Sequence, residues 1–307
     1  MAVCGFFSVF ACTEHKKEGG YSGSIVSEKP EFSFTFPDIP TILTSSDEKR
    51  EYLLKHYWDR FDFADTAIVK KNIIESVFVN HLCIIMQEET EMVVLKECVD
   101  NLCSRMEKYP HARRVFMELN DDYLYNPNSQ YYNENIYLIY LERMIVSKYL
   151  GDAEKSNLIF KRNLIRRNMP GDMATDFFCY LENGRKISLF NTKIKGDYLL
   201  LLFYAPECPM CMETMKVMTE DVLLSEAVKK GKLTVFAVYT EGDEKEWRTS
   251  CGKLPDEWIK ANDRMMILDK ALYDLKAMPS LYLLDKEKRV LLKDAPYTVV
   301  REALSLL

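Results

Sequence analysis

The chain has 307 residues, 48% of them hydrophobic and 29% charged, with a formal charge of −6 at neutral pH. That length suffices for two domains of ordinary size, each with a buried core. The acidic balance speaks against a nucleic-acid binder, which carries a basic stripe, and no run of about 18 apolar residues marks a membrane-spanning helix.

At the start, AVCGFFSVFA (residues 2–11) is short and apolar, and Cys12 opens the polar stretch TEHKKEGG. An apolar segment, the small Ala11 and then a cysteine resemble the end of a bacterial lipoprotein signal, with Cys12 as the lipidated residue. A secretory signal also carries a positive n-region, which is missing here, so either the true start lies upstream or the segment is a hydrophobic tail. On the lipoprotein reading, residues 1–35 are signal and tether. The address is then the periplasm or cell envelope, with the membrane reached through the N-terminal lipid alone.

Residues 45–168 read almost entirely as helix. Ser45 with Glu48 fits a capping box ahead of EYLLKHYWDRF. The segments Ala64–Met86 and EMVVLKECVDNLCSRM carry apolar residues at three- and four-residue spacing, and Pro110, YNPNS (125–129) and Gly151-Asp152 punctuate further helices. Strand-like alternation is absent, so residues 36–170 form an all-helical unit. Cys83, Cys98 and Cys103 fall within these patterns and read as buried, inert thiols. Tyr131, Tyr132, Tyr137 and Tyr140 read as packing residues, and Lys161, Arg162, Arg166 and Arg167 as a solvated face.

After NMPGD (168–172) the pattern changes. ATDFFCYL and RKISLF bracket Glu182-Asn183-Gly184 as a hairpin, and YLLLLFYA is a continuous apolar run, as in a strand buried on both faces. A helix over 209–227, the strand KLTVFAVYT and a polar helical stretch at DEKEWRTS follow, where Trp247 and Trp258 pack a loop insertion on the sheet. MMILD, PSLYLLD and RVLLKD supply three more strands before a closing helix, YTVVREALSLL. Alternating strand and helix over 171–307 imply an α/β domain with a mixed central sheet.

Chemistry concentrates in FYAPECPMC (203–211). A structural zinc site needs four Cys or His ligands, yet His15, His56, His81 and His111 all precede the α/β domain, and Cys179 and Cys251 are single and distant. Two buried thiols on one helix face would suit the spacing, but Pro206 and Pro209 mark a turn and a helix start. Cys208 then lies at a helix N-terminus, where unpaired amides and the dipole favour a thiolate. Cys211, one turn along, is near enough to attack a mixed disulfide on Cys208. A redox pair is the expectation. Glu207 and Glu213 are candidates to take the proton from the resolving thiol as general bases, and like-charge repulsion from either would work against a thiolate. A lone Cys251 reads as structural rather than as a third redox partner.

The strand Phe203-Tyr204-Ala205-Pro206 followed by Cys208-Pro209-Met210-Cys211 is similar to the strand and active-site turn of the thioredoxin superfamily. MPSLYLLD (278–285) looks like its cis-proline strand, with Met278-Pro279 as the bond. The hairpin ahead of the core strand resembles the TlpA/ResA-type extracytoplasmic branch. The whole chain also resembles lipoproteins of Gram-negative anaerobes that join a helical domain of unknown function to a thioredoxin-like domain, matching at KHYWDRFDFADT, YLYNPNSQYYNE, NMPGDMATDF and LYDLKAMPSLYLLDKEKRVLLKDA.

The resemblance implies a thiol–disulfide oxidoreductase without metal or bound cofactor. Cys208 would be the nucleophile and Cys211 the resolving thiol. Pro279, Met278, Pro209 and Met210 would contact the substrate, a protein disulfide or dithiol, and a membrane-side electron donor would recharge the pair. One departure stands out: thioredoxin's buried acid, six residues before the first cysteine, is here Leu202. Two other readings compete, a non-enzymatic binding lipoprotein with a static disulfide and a peroxiredoxin-like peroxidase; the latter needs a threonine where Ala205 stands.

Overall fold

A computed structural model describes residues 32–87 and 90–306. Cys12 and most of the expected signal and tether lie outside the described residues. Residues 34–307 form a single compact unit, in which helices alone come first and a sheet with helices follows.

The helical part contains α1 (Ser46–His56), α2 (Lys71–Ile85), α3 (Met92–Met106), α4 (Pro110–Asn120), a π-helical turn at Asp121–Tyr125, α5 (Glu134–Ile145) and α6 (Asp152–Ile165). The Ser45 hydroxyl accepts from the Glu48 amide at 3.1 Å, and the Glu48 carboxylate accepts from the Ser45 amide at 3.1 Å, closing the expected capping box. Tyr57, Trp58, Phe61, Phe63, Phe78 and Phe116 build an aromatic core, in which Trp58 donates to His81 Nδ1 at 3.1 Å. Burial holds the His81 imidazole neutral, its pKa lowered to about 3. Cys98 and Cys103 are buried, but Cys83 is exposed, its thiol 3.4 Å from the Tyr131 hydroxyl. Its α2 neighbours His81 and Leu82 take the inward face instead. Tyr137 and Tyr140 are buried as expected.

The basic run near the end of α6 is not one solvated face. Lys161 pairs with Asp121 at 3.0 Å and lies over the Tyr125 ring, and Arg167 donates to the Ala271 carbonyl across the helical–α/β junction. Asn168 bridges the same junction, donating to Leu272 O at 3.1 Å and accepting from Thr175 N at 2.7 Å.

The sheet comprises β1 (Phe178–Leu181), β2 (Lys186–Ser188), β3 (Tyr198–Tyr204), β4 (Leu233–Tyr239), β5 (Ile259–Asn262), β6 (Ser280–Asp285) and β7 (Val290–Leu292), in the order β2-β1-β5-β4-β3-β6-β7. β3 is an interior strand, parallel to β4 and antiparallel to β6. Its alternation sends Leu200, Leu202 and Tyr204 to one core, with Cys211, Met215 and Trp247, and Leu199, Leu201 and Phe203 to the other, with Phe177, Tyr273 and Tyr282. Each buried leucine contributes about 1.5–3 kcal/mol, which fixes the register of the strand that carries the cysteine turn.

Around the sheet lie α7 (Pro209–Glu220), α8 (Val222–Lys229), α9 (Glu244–Cys251), α10 (Met266–Asp269) and α11 (Tyr297–Ser305). Two expectations are corrected here. The helix over 209–227 breaks at Asp221, whose carboxylate accepts from Leu223 N at 2.8 Å and so caps α8. MMILD is not a strand: Asp263 accepts from the amides of Met265 and Ile267, at 3.1 and 2.7 Å, which starts the one-turn α10. The strand lies just upstream at Ile259–Asn262, parallel to β4. Cys251 is buried, and so are Trp247 and Trp258.

Candidate active site

β3 ends at Tyr204, and the Cys208 amide donates to Ala205 O at 3.2 Å, turning the chain into α7. Cys208 is the N-cap residue, extended at φ −80° and ψ 116°, with Pro209 in the first helical turn. Proline suits that position because its missing N–H would be unpaired there and its φ is already helical. The Cys208 sulfur accepts from the Cys211 amide at 3.4 Å. On its other side it faces the Met278 carbonyl, also at 3.4 Å. The Met278–Pro279 bond is cis, and Ser280 pairs with Phe203 across β6 and β3, which seats this turn against the cysteines.

The two thiols differ. Cys208 is partly exposed, between exposed Glu207 and exposed Pro209 and Met210. Cys211 has no exposed surface; its sulfur accepts from Ala205 N at 3.5 Å. Burial pushes the Cys211 thiol up to about 12, with Cys208 and the charge of Glu241 adding to the shift. Both are free thiols. Leu202, where thioredoxin has its acid, is fully buried in the same apolar cluster as Cys211.

The structure brings together Cys208, Cys211, Met278 and Pro279, with Pro209 and Met210 at the rim. Glu207 and Glu213 are exposed and bond to neither sulfur among the contacts described. Glu207 instead joins an acidic rim with Asp243 and Glu246, where partial desolvation, Glu207 and Asp243 push the Glu246 carboxyl up. Glu213 borders a groove of about 500 Å³ lined by Met212, Met215 and Leu254, with Lys216 and Lys253 beside them. Among the described residues no group of three or more His, Cys, Asp or Glu could hold a metal ion.

This fold has a solved counterpart. A thioredoxin-like protein from Bacteroides caccae is 35% identical, with a TM-score of 0.75, over 90% of this chain and 99% of that one. Residues 11–168, just over half of the chain, match the family model of a domain of unknown function, DUF5106. The chain belongs to the thioredoxin-like family, with a DUF5106 domain in front. The C-terminal domain of an uncharacterized protein from Bacteroides fragilis is similar at 34% identity and TM-score 0.43, over 45% of this chain and 98% of that one. A Chlorobium tepidum protein described as thiol:disulfide interchange protein DsbE is 26% identical at TM-score 0.37, over 45% and 94%. No curated protein matches.

Two features of this thioredoxin-like site were not visible in the sequence. Glu241 follows β4, and because Tyr239 is in register with Tyr204 the ends of the two parallel strands deliver Glu241 and the cysteine turn to one edge. Pairing β3 with β4 was the signal that would have found it. The second feature is a buried set of charges beneath the cis-proline turn: Lys276, Asp274, Asp294, Lys293 and Glu134.

Proposed function

We propose that this protein is an extracytoplasmic thiol–disulfide oxidoreductase that reduces protein disulfides through Cys208 and Cys211. The observation that carries the reading is the asymmetry of the pair: a reachable sulfur at a helix N-terminus, backed by a shielded thiol one turn away. The Cys208 thiolate attacks a substrate disulfide, forming a mixed disulfide and expelling one substrate thiolate, which takes up a proton. Cys211 loses its proton and attacks the Cys208 sulfur, the second substrate thiolate leaves, and the Cys208–Cys211 disulfide holds the two electron equivalents of oxidation. A dithiol donor on the membrane side returns the pair to its reduced state. The half-buried turn at Met278–Pro279, with exposed Pro209 and Met210 nearby, suits an extended substrate segment lying beside Cys208. Lipidation at Cys12 would hold the protein at the envelope membrane.

The deciding experiment equilibrates the full chain with glutathione buffers and measures the reduction potential of the pair. A value near −270 mV, about that of thioredoxin, supports a reductant; one near about −120 mV reverses the direction. Absence of reversible exchange would overturn the redox reading. Cys211→Ala should then accumulate mixed disulfides, whereas Cys208→Ala should form none.

A further inference from the structure

Glu134 opens α5 in the DUF5106 part, and its carboxylate lies between two lysines of the thioredoxin-like part, 2.7 Å from Lys276 Nζ and 2.9 Å from Lys293 Nζ. The Lys276 side chain is 2% exposed and is held as well by Asp274 at 3.1 Å and Asp294 at 3.5 Å. Tyr125, from the π-helical turn, donates to Asp274 at 2.6 Å, and the Lys276 ammonium lies over the rings of Tyr125 and Tyr132. Burial works against the Glu134 carboxylate, but Lys276 and Lys293 outweigh it and hold its pKa below the ordinary glutamate value.

The position of this cluster matters more than its strength. Lys276 is two residues before Met278, whose carbonyl faces Cys208. Ser280, the residue after Pro279, donates to Asp294 at 2.6 Å. Both flanks of the cis-proline turn are therefore tied to one buried set of charges, and the helical part reaches into that set with Glu134 and Tyr125. As stabilising devices, buried ion pairs gain little over apolar packing, because desolvation offsets the attraction. As locators they are stiff, since a shift of either partner leaves a charge uncompensated.

We propose that Glu134 is a positioning residue for the cis-proline turn, and that bracing this turn against Cys208 is what the DUF5106 domain contributes to the exchange reaction. The proposal rests on the reading of Met278–Pro279 as the edge that receives a polypeptide substrate. A substrate too small to lie along that edge should not sense the brace.

The test compares the full chain with its Glu134→Gln variant, which keeps the shape and removes the charge. With dithiothreitol as donor and insulin as the polypeptide disulfide, kcat/KM should fall about tenfold, through KM. The reaction with the small disulfide 5,5′-dithiobis(2-nitrobenzoic acid) should stay within about twofold. Equal losses on both substrates, or no loss on either, would overturn the proposal. Amide hydrogen exchange gives a second readout independent of redox chemistry: exchange over residues 275–282 should quicken by about tenfold while α3 is unchanged. Unaltered exchange in that segment overturns the brace even if insulin turnover falls. Should the unmodified chain react with neither disulfide, the redox reading fails, and the exchange data still decide whether Glu134 holds the turn.

Discussion

The high pKa of Cys211 makes the second half of the proposed reaction its slow half. Starting from a pKa of about 12, roughly one Cys211 in 10⁵ is a thiolate at pH 7, and that fraction grows tenfold with each pH unit. Leu202 stands in place of an acid, so that position supplies no carboxylate to take the Cys211 proton. The perturbation is pH itself, read in a single turnover with 5,5′-dithiobis(2-nitrobenzoic acid). Attack by Cys208 releases one coloured thiolate, and resolution by Cys211 releases a second. The second release should accelerate about tenfold per pH unit from pH 6 to pH 9 without a plateau. Glu241→Gln should raise it modestly at every pH, because the Glu241 charge opposes ionisation of Cys211. A plateau with a midpoint near pH 7 or 8 would refute the reasoning, since Cys211 would then ionise as an ordinary or acidified thiol.

Lys276→Met leaves Glu134, Asp274 and Asp294 buried around an apolar side chain, and should cost about 3–5 kcal/mol in urea unfolding; a loss below 1 kcal/mol would show the cluster to be better hydrated than its burial indicates. Asp263 is raised to about 6, first by burial and against the amides of Ile267 and Met265. A raised carboxyl pKa means that the folded state binds more protons than the unfolded one between about pH 4 and 6, so stability falls as pH rises through that window. The stability difference between the natural chain and Asp263→Asn should therefore change by about 2 kcal/mol from pH 4 to pH 7, and parallel curves would contradict the shift. Ser45→Ala removes the oxygen that accepts from Glu48 N and should cost about 1 kcal/mol, measured by thermal unfolding.

What the sequence disclosed was local. The β3 run, Pro206 and Pro209 around Cys208, and the Ser45 cap each need only a few neighbouring residues to be read, and each forms as expected. MMILD was ambiguous because four apolar residues in a row suit a strand or a helical turn equally; the Asp263 carboxylate decided it by taking up two amides. Cys83 sits one position away from buried Leu82, and periodicity alone does not resolve which side of the α2 stripe it takes. The charge cluster was beyond reach for a different reason. Glu134 and Lys276 are far apart in the chain, and charged residues in a sequence read as solvated until a partner is known. Their meeting depends on how the helical part packs on the loop before β6, which no local pattern encodes.

The shielding of Cys211 also sets the order in which the pair meets oxidants. A peroxide diffusing in from solvent reaches Cys208, because Cys211 has no exposed surface and shares its core with Leu202, Met215 and Trp247. Oxidation of Cys208 gives a sulfenic acid with a second thiol one helical turn away, and their condensation releases water and closes a disulfide. Once closed, that disulfide takes Cys208 off the path to the sulfinic and sulfonic stages, which do not reverse in ordinary thiol chemistry. Damage to the partly exposed sulfur thus ends in the same oxidised form that the proposed dithiol donor would restore.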